Sequence, residues 1–419
     1  MKTVIMAGGK GTRIRSVASE VPKPMIPILG KPILEYQVEV LARNGLKDIT
    51  IVTGYLGQAI KTHFGNGAKF GVAISYYDES APLGTAGALY KIYDGLGEDF
   101  LLLNGDVVFD MNLGRLLSFH KEKGGDATLV SHPSGHPADS SLLVTDAEDR
   151  LTGWLAKEDP RLYYRNRVNA GIHLLSRRLL DAARRGLASE KADLDRDILK
   201  PLVPTARIYA YDTPEYIKDM GTPERYRDVE RDIGSGFVES RNLANRQKAV
   251  FLDRDGTLNR SKGFVSRPED FELLPGAARA LRAINESGYL AIVVTNQPVI
   301  ARGECSLEGL RAIHDKMETL LGAEGAYLDD LFFCPHHPDG GFPGELPEYK
   351  IECECRKPKP GMLLAAAEKY NIDLSASFML GDDERDMGAG RAAGCKPVMV
   401  APGELPKAVD EILAPRGPR

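Results

Sequence analysis

The sequence predicts an α/β protein of two domains, an N-terminal and a C-terminal Rossmann-like unit. Three observations predict it. At 419 residues the chain is long enough for two or three domains, each with its own core. Short apolar runs alternate with helix-like segments in both halves, the pattern of parallel sheets covered on both faces. Each half also opens on a strand-like run that passes straight into a polar or glycine-rich loop. In open α/β sheets such strand ends are where ligands bind.

The elements follow in order. Thr3–Ala7 is the first apolar run and ends in Gly8-Gly9-Lys10-Gly11-Thr12-Arg13. Strands are predicted at Ile49–Thr53, Val72–Tyr77 and Phe100–Leu103, and helices at Ile33–Asn44, Ala86–Asp94 and Leu113–Lys123. The charged run at Arg227–Asp232 reads as a solvated helix end, and Gly234-Ser235-Gly236 breaks it. The first domain therefore spans 1–231, with a linker at 232–247. Ala249–Leu252 opens the second domain, 248–405, and ends in Asp253-Arg254-Asp255-Gly256-Thr257. Leu290–Thr295 and Phe378–Leu380 read as strands, Ala277–Ser287 and Leu307–Leu321 as helices. The tail, 406–419, closes on a stretch rich in Pro, Gly and Arg.

Composition excludes several classes of function. A net charge of −5 lacks the basic excess of a dedicated nucleic-acid binder. No stretch reaches the ~18 consecutive apolar residues of a membrane helix. No secretory leader is legible, and five Cys are too few for a disulfide scaffold. The expectation is a soluble cytoplasmic protein acting on small molecules, with neither nucleic acid nor membrane as partner. A homo-oligomer is left open.

The glycines at 8, 9 and 11 let backbone N–H groups approach phosphate oxygens, and Arg13 adds a charged fork. The loop is not a dinucleotide fingerprint, because G-x-G-x-x-G is absent; nor is it a Walker loop, because no G-K-[ST] follows. Pro22-Lys23-Pro24 holds a lysine between two residues that restrict the backbone, which aims an ammonium. Asp106 ends an apolar strand, and Asp219 supplies a second such acid. Two carboxylates from different strands are hard-oxygen ligands for Mg²⁺.

These segments form a set. The glycine loop, Pro22-Lys23-Pro24, Pro82-Leu83-Gly84-Thr85-Ala86-Gly87, Asn104-Gly105-Asp106, Asn169-Ala170-Gly171 and Asp219-Met220-Gly221-Thr222-Pro223 occur in order. Together they resemble the sugar-1-phosphate nucleotidyltransferases, over roughly residues 1–230. The region from Arg15 to Met25 looks most like the heptose 1-phosphate guanylyltransferase branch, from which Lys10 departs. The resemblance implies a GT-A-like nucleotidyltransferase fold and attack by a sugar 1-phosphate on the α-phosphorus of a nucleoside triphosphate. Arg13 and Lys23 would neutralise phosphate charge, and Asp106 and Asp219 would hold Mg²⁺. Ala7, Gly8, Gly9, Gly11, Thr12, Gly84 and Thr85 would line the nucleotide. Lys157, Asn169 and Gly171 would face the sugar phosphate. Glu79 has two readings, an acceptor for the N1–H and amino group of guanine or a solvated loop acid.

In the second half, Asp253 and Asp255 place two carboxylates at a strand end, one to attack phosphorus and one to handle protons. Thr295 and Asn296 end another strand, Arg356 and Lys357 add fixed cations, and Asp382 follows a third strand. Cys334, His336, Cys353 and Cys355 form a Cys₃His set suited to tetrahedral structural Zn²⁺, with His337 as the competing ligand. The four catalytic segments resemble the haloacid dehalogenase-like phosphatases over about 248–402. That resemblance makes Asp253 the nucleophile and Asp255 the general acid/base. It assigns phosphate binding to Thr295, Asn296, Arg356 and Lys357. Mg²⁺ goes to Asp253, Asp382 and the backbone carbonyl of Asp255. Too few residues lie between Thr257 and Thr295 for a large cap. The zinc loop resembles the heptose bisphosphate phosphatases, with histidinol-phosphate phosphatases as close relatives. Pro298, Val299 and Asp383 depart from that pattern, and an acid at 383 weakens binding of a second phosphate.

Joined, the resemblances imply a bifunctional enzyme of nucleotide-activated heptose biosynthesis. It would remove the 7-phosphate of D-glycero-D-manno-heptose 1,7-bisphosphate and transfer GMP from GTP to the 1-phosphate, with Mg²⁺ at both sites. One alternative pairs a mannose- or glucose-type transferase with a phosphatase for another substrate, such as histidinol phosphate. The other is a non-catalytic nucleotide sensor.

Overall fold

The computed structural model describes residues 1–9, 21–261, 263–341 and 343–414. The chain divides into two compact units. The first is Met1–His132, Leu143–Leu155 and Asn169–Asn242; the second is Pro133–Leu142, Ala156–Val168 and Leu243–Arg419.

In the first unit, strand Lys2–Met6 lies between Asp99–Asn104 and Asp48–Thr53, parallel to both, and Ala73–Asp78 extends the sheet in parallel beyond Asp48–Thr53. Side chains alternate between the two faces. Ile5, Ile51, Leu101 and Leu103 pack with Leu34, Val38 and Leu41 of helix Ile33–Arg43 on one face. Val4, Val52, Phe100 and Leu102 pack with Leu179 and Leu180 on the other. Truncating one of these buried side chains to Ala costs about 2–5 kcal/mol.

The sheet is not parallel throughout, as the alternation predicts. Val168–Ser176 runs antiparallel to Asp99–Asn104, with Ile172 opposite Leu103. The physical reason lies after helix Leu113–Lys123. There Ala127–His132, Leu142–Thr145, Leu151–Leu155 and Val168–Ser176 follow one another with only a short 3₁₀ turn between them. Parallel neighbours need a long crossover, usually a helix; without one, antiparallel pairing is the accessible arrangement. A separate antiparallel pair, Val107–Asp110 with Tyr216–Asp219, sets Asp219 opposite Val107. Asp106 and Asp219 thereby reach the same end of this ribbon, and the Met220 N–H donates to the Asp106 carbonyl at 3.0 Å.

The stretch 232–247 is largely ordered. Helix Pro223–Gly234 runs through Asp232, a buried acid that accepts hydrogen bonds from Tyr216 Oη at 2.9 Å and Lys218 Nζ at 3.1 Å. A short helix, Phe237–Ser240, follows.

The second unit holds a five-stranded, all-parallel sheet, in the order Asp330–Cys334, Tyr289–Asn296, Lys248–Leu252, Phe378–Gly381, Lys396–Met399. Helices Ala277–Asn285 and Leu307–Ala323 supply the core on one face, Gly361–Tyr370 and Glu384–Ala393 on the other. Asp253, Thr295, Cys334 and Asp382 all sit at the carboxyl ends of these strands, the usual edge for ligands. Among the described residues between Thr257 and Thr295, the regular elements are a 3₁₀ turn, helix Ala277–Asn285 and strand Tyr289–Asn296, with no cap domain among them.

The segments 133–142 and 156–168 also belong to this unit. Arg167 is buried and donates to Glu318 Oε2 at 3.3 Å and to the Asp329 carbonyl at 3.1 Å. No described helix is long and apolar enough to cross a membrane.

Candidate active sites

The first site is a cleft of about 440 Å³ at the carboxyl end of strand Lys2–Met6. Of the residues singled out from the sequence, Ala7, Gly8, Gly9, Lys23, Glu79, Gly84, Thr85 and Asp106 all line it. Gly11, Thr12 and Arg13 lie outside the described residues. The backbone approaches closely here: a Cβ on Gly8 would stand 2.4 Å from Glu79 Oε2. Glu79 Oε1 meanwhile accepts from the Leu83 N–H at 3.0 Å. Glu79 is thus fixed in the wall between the glycine loop and the Gly84 turn.

Lys23 sits in a single 3₁₀ turn begun by Pro22 and is ion-paired with Asp106. Asp219 is gripped by Arg225 Nη1 at 2.6 and 2.9 Å. Asn169 and Gly171 are not cleft-lining residues. The Asn169 amide instead donates to Asp195 at 3.1 Å, and the Gly171 N–H donates to Asn169 Oδ1 at 3.2 Å. Burial, reinforced by Asp193, pushes Asp195 up to about 7. Met6, which reads from the sequence as core filler, lines the cleft as well; Met220 and Met379 are buried core.

The second site gathers around Asp253. Lys357, almost fully buried, donates to Asp253 at 2.8 Å, to Asp386 at 2.6 Å and to the Val294 carbonyl at 2.8 Å. Asp253, Asp382 and Asp386 present carboxylate oxygens within 4.8 Å of one another. One cation does not balance three acids. Burial and then Asp253 raise Asp382, and the same two causes push Asp386 up to about 6 against the pull of Lys357. A hard divalent cation fits such a set. Gly256, at φ +84°, lets Asp382 close over the nucleophile loop, because a Cβ there would lie 1.9 Å from its Oδ2.

Asp255 points elsewhere. Arg254 Nη2 donates to its oxygens at 2.9 and 2.8 Å, Asn259 at 3.0 Å and Gln297 at 2.9 Å. Burial alone would raise this acid, but Arg254, Asn259 and Gln297 outweigh it and hold Asp255 below the usual carboxylate range. Asn296 pairs with the Lys357 backbone, its Nδ2 donating to the carbonyl and its Oδ1 accepting from the N–H, each at 3.0 Å. It therefore fixes the backbone of the lysine. Arg356 donates to the His336 carbonyl at 3.1 Å, which ties it to the cysteine loop. Asp383 is the N-cap of helix Glu384–Ala393 and is held bidentately by Arg385 at 2.8 and 2.9 Å. The acid at this departure from the phosphatase pattern is therefore neutralised by its own neighbour.

Cys334, His336, Cys353 and Cys355 converge. Sγ of Cys353 is 3.5 Å from Cys334 and 3.2 Å from Cys355. His336 Nδ1 is 3.7 Å from Cys334 and 3.5 Å from Cys355. A tetrahedron with metal–sulfur bonds of about 2.3 Å has edges near 3.7 Å, so the donor set fits zinc. His337 is turned away: its Nδ1 accepts from the Asp339 N–H at 3.2 Å. Cys305 and Cys395 lie in the apolar cores, as their lack of ligand spacing suggests.

Comparison with known proteins matches residues 2–236 to the nucleotidyl transferase family and residues 354–416 to a HAD-hydrolase-like family. The first half is 33% identical to a mannose-1-phosphate guanylyltransferase of Mycobacterium tuberculosis, over 57% of this chain and 66% of that protein. The second half is 45% identical to a D-glycero-beta-D-manno-heptose-1,7-bisphosphate 7-phosphatase of Pasteurella multocida, over 36% of this chain and 79% of that protein. The chain belongs to the nucleotidyl transferase family and, through its second half, to that of the heptose bisphosphate phosphatases. Among solved structures, HddC from Yersinia pseudotuberculosis is similar at 24% identity and a TM-score of 0.48, over 55% of this chain and 99% of that one.

The nucleotidyl transferase match runs through 133–142 and 156–168, the two segments built into the second unit. Lys157 lies on the latter, exposed and 3.6 Å from Glu158. On the phosphatase side, sequence reasoning missed Asp386, Arg254 and Gln297. Asp386 carried a signal as a second acid shortly after Asp382, in the first turn of helix Glu384–Ala393. Arg254 and Gln297 carried none beyond adjacency to Asp253, Asp255 and Thr295, because an arginine or glutamine beside a motif usually faces solvent.

Proposed function

We propose that the chain catalyses two consecutive reactions. The second unit converts D-glycero-D-manno-heptose 1,7-bisphosphate to the 1-phosphate. The first unit joins that product to GTP, giving GDP-heptose and pyrophosphate. The observation that carries this reading is the fusion itself. A family that consumes sugar 1-phosphates is joined to one whose relatives are named for making a heptose 1-phosphate from its bisphosphate.

In the phosphatase site Asp253 attacks the phosphorus of the 7-phosphate. The bond from phosphorus to O7 breaks and an aspartyl-phosphate forms. Asp255 manages the proton: in its protonated minority form it delivers that proton to the departing O7, and it regains one from the water that then frees phosphate from Asp253. Lys357 and the Thr295 hydroxyl offset the phosphoryl charge. Asp253, Asp382 and Asp386 would hold Mg²⁺, with the Asp255 carbonyl. When bound, the ion supplies charge that lets a carboxylate approach a phosphate. Zn²⁺ at Cys334, His336, Cys353 and Cys355 would be structural, since four protein donors fill a tetrahedral shell.

In the transferase cleft a phosphate oxygen of the sugar 1-phosphate attacks the α-phosphorus of GTP, and the bond to the pyrophosphate oxygen breaks. Lys23 and Arg13 stabilise the charge, the N–H groups of the glycine loop cradle the phosphates, and Glu79 accepts from guanine. Asp106 and Asp219 would hold Mg²⁺ here.

The test is a panel of GTP, ATP, UTP and dTTP against heptose, mannose and glucose 1-phosphates, with pyrophosphate release as readout. GTP with the heptose should lead. A lead for mannose 1-phosphate would replace the heptose with a hexose in this account.

A further inference from the structure

We propose that Gln297 is a positioning residue of the phosphatase site: it forces the Thr295 hydroxyl to donate to the phosphoryl group and ties that hydroxyl to Asp255. The inference rests on the phosphatase reading above.

Five side chains form a connected network of hydrogen bonds. Gln297 Nε2 donates to Asp255 Oδ2 and to Thr295 Oγ1, each at 2.9 Å. Gln297 Oε1 accepts from Arg254 Nη2 at 3.0 Å. Arg254 Nη1 reaches His314 Nε2 at 3.2 Å. Arg254, Gln297 and Thr295 are each 1% exposed or less, and His314 is 7% exposed.

The chemistry of the ends fixes the middle. An arginine only donates. The amide oxygen of Gln297 must therefore face Arg254, which leaves its nitrogen toward Asp255. The flipped amide would set donor against donor. With the nitrogen so placed, its second hydrogen goes to Thr295 Oγ1. That hydroxyl now has a lone pair engaged on its inner side, and its proton is directed away from Gln297. Thr295 lies at the carboxyl end of strand Tyr289–Asn296, the same sheet edge as Asp253, so on the phosphatase reading the proton is offered to the group being transferred. By the same logic His314 Nε2 is an acceptor, so its proton sits on Nδ1 and the ring is neutral. Burial, then Arg254 and Arg165, hold His314 well below its ordinary range, in keeping with that form.

The consequence is a polarity rule. Gln297→Glu keeps the shape and the contact with Arg254 but puts an acceptor where two donors stood. Thr295 then turns its proton inward to the new carboxylate, away from the phosphoryl group. Gln297→Met removes both donors but leaves the hydroxyl able to point outward. Because the carboxylate of Gln297→Glu would also face Asp255, the order of Glu and Met does not by itself separate a positioning from a structural role; coupling to Thr295 in kcat does.

The experiment uses the full-length chain with Mg²⁺ and two substrates, p-nitrophenyl phosphate and the heptose 1,7-bisphosphate. Gln297→Glu should lower kcat about 100-fold with KM within about threefold, and Gln297→Met about 10-fold, the order of a misplaced acid/base group or donor. Gln297→Glu combined with Thr295→Val should fall within about threefold of Thr295→Val alone, because the two act as a unit. Retained zinc content and circular dichroism identify folded variants; if Glu does not fold, Met and the Gln297→Met/Thr295→Val pair carry the same cycle. Glu milder than Met, a folded Glu variant with wild-type kcat, or losses that multiply would overturn the proposal. If the wild type hydrolyses p-nitrophenyl phosphate but not the bisphosphate, the substrate assignment falls while the cycle is still read on the first substrate.

Discussion

Replacing Lys357 with Met removes the one cation buried among three carboxylates. The ammonium is 2% exposed, against 13% for Asp253 and 1% for Asp386. Removing one partner of a buried ion pair costs about 3–5 kcal/mol, because the remaining charge is left uncompensated. Met fills most of the lysine volume, so no large cavity term is added. The loss is limited by protonation. Asp386 already titrates near about 6 under burial and Asp253, and without Lys357 it rises further, so it takes up a proton near neutrality. The lower end of the range, about 3 kcal/mol, is therefore expected at pH 7.5. The sign with pH follows. Asp386 has a raised folded-state pKa, so its contribution to stability is fully present below the ordinary carboxylate range, near pH 4, and is lost as pH rises through about 6. The variant accentuates this, so its deficit should shrink between pH 7.5 and pH 5. At about 2–4 °C per kcal/mol, the melting transition of the second unit should drop by about 6–12 °C. Differential scanning calorimetry in magnesium-free buffer reads it. A shift under 2 °C, or a deficit that grows as pH falls, would refute the reasoning.

Cys353→Ser should lower bound zinc from about one per chain to near zero by elemental analysis. It should also destabilise the second unit and leave pyrophosphate release within about threefold. Glu79→Gln should narrow the preference for GTP over ATP by about tenfold in kcat/KM, the scale of one charge-assisted hydrogen bond; unchanged selectivity would move base reading to the backbone. Asp330, held far below the usual range by Lys369, Arg165 and Arg167 despite its burial, stabilises the fold above about pH 4 and loses that contribution as pH falls. Asp330→Asn should cost about 3 kcal/mol at pH 7 by urea denaturation, with the gap to wild type closing only in acid.

Much of the architecture was legible because strands of the second unit are buried on both faces and read as continuous apolar runs. Leu290–Thr295 lies within the observed Tyr289–Asn296, and Leu113–Lys123 matches its helix end to end. What alternation could not show was the antiparallel Val168–Ser176. Strand direction depends on the connection rather than on the strand's own residues. Nor could it show that Ala156–Val168 packs into the second unit, because Arg167 finds Glu318 only in space. The site followed the same division. Asp253 and Asp382 were legible from their places at strand ends, Lys357 as a fixed cation in the phosphatase resemblance, and the cysteine loop from ligand type. The roles of Asp386 and Gln297 were not, since Lys357 reaches the one and Asp255 and Arg254 reach the other only in space. Asn296 was legible as a site residue, but its hold on the Lys357 backbone was not.

The claim of two consecutive reactions on independent sites is tested most directly by ³¹P NMR of the heptose 1,7-bisphosphate with GTP and Mg²⁺. The wild type should convert the 7-phosphate signal to inorganic phosphate and then build the paired signals of a GDP-sugar. Asp253→Asn should leave the bisphosphate untouched yet form GDP-heptose when given the 1-phosphate, while Asp106→Asn should release phosphate and stop at the 1-phosphate. A folded Asp253→Asn protein that fails to use the 1-phosphate, or a wild type that forms a GDP-sugar retaining its 7-phosphate, would contradict the account.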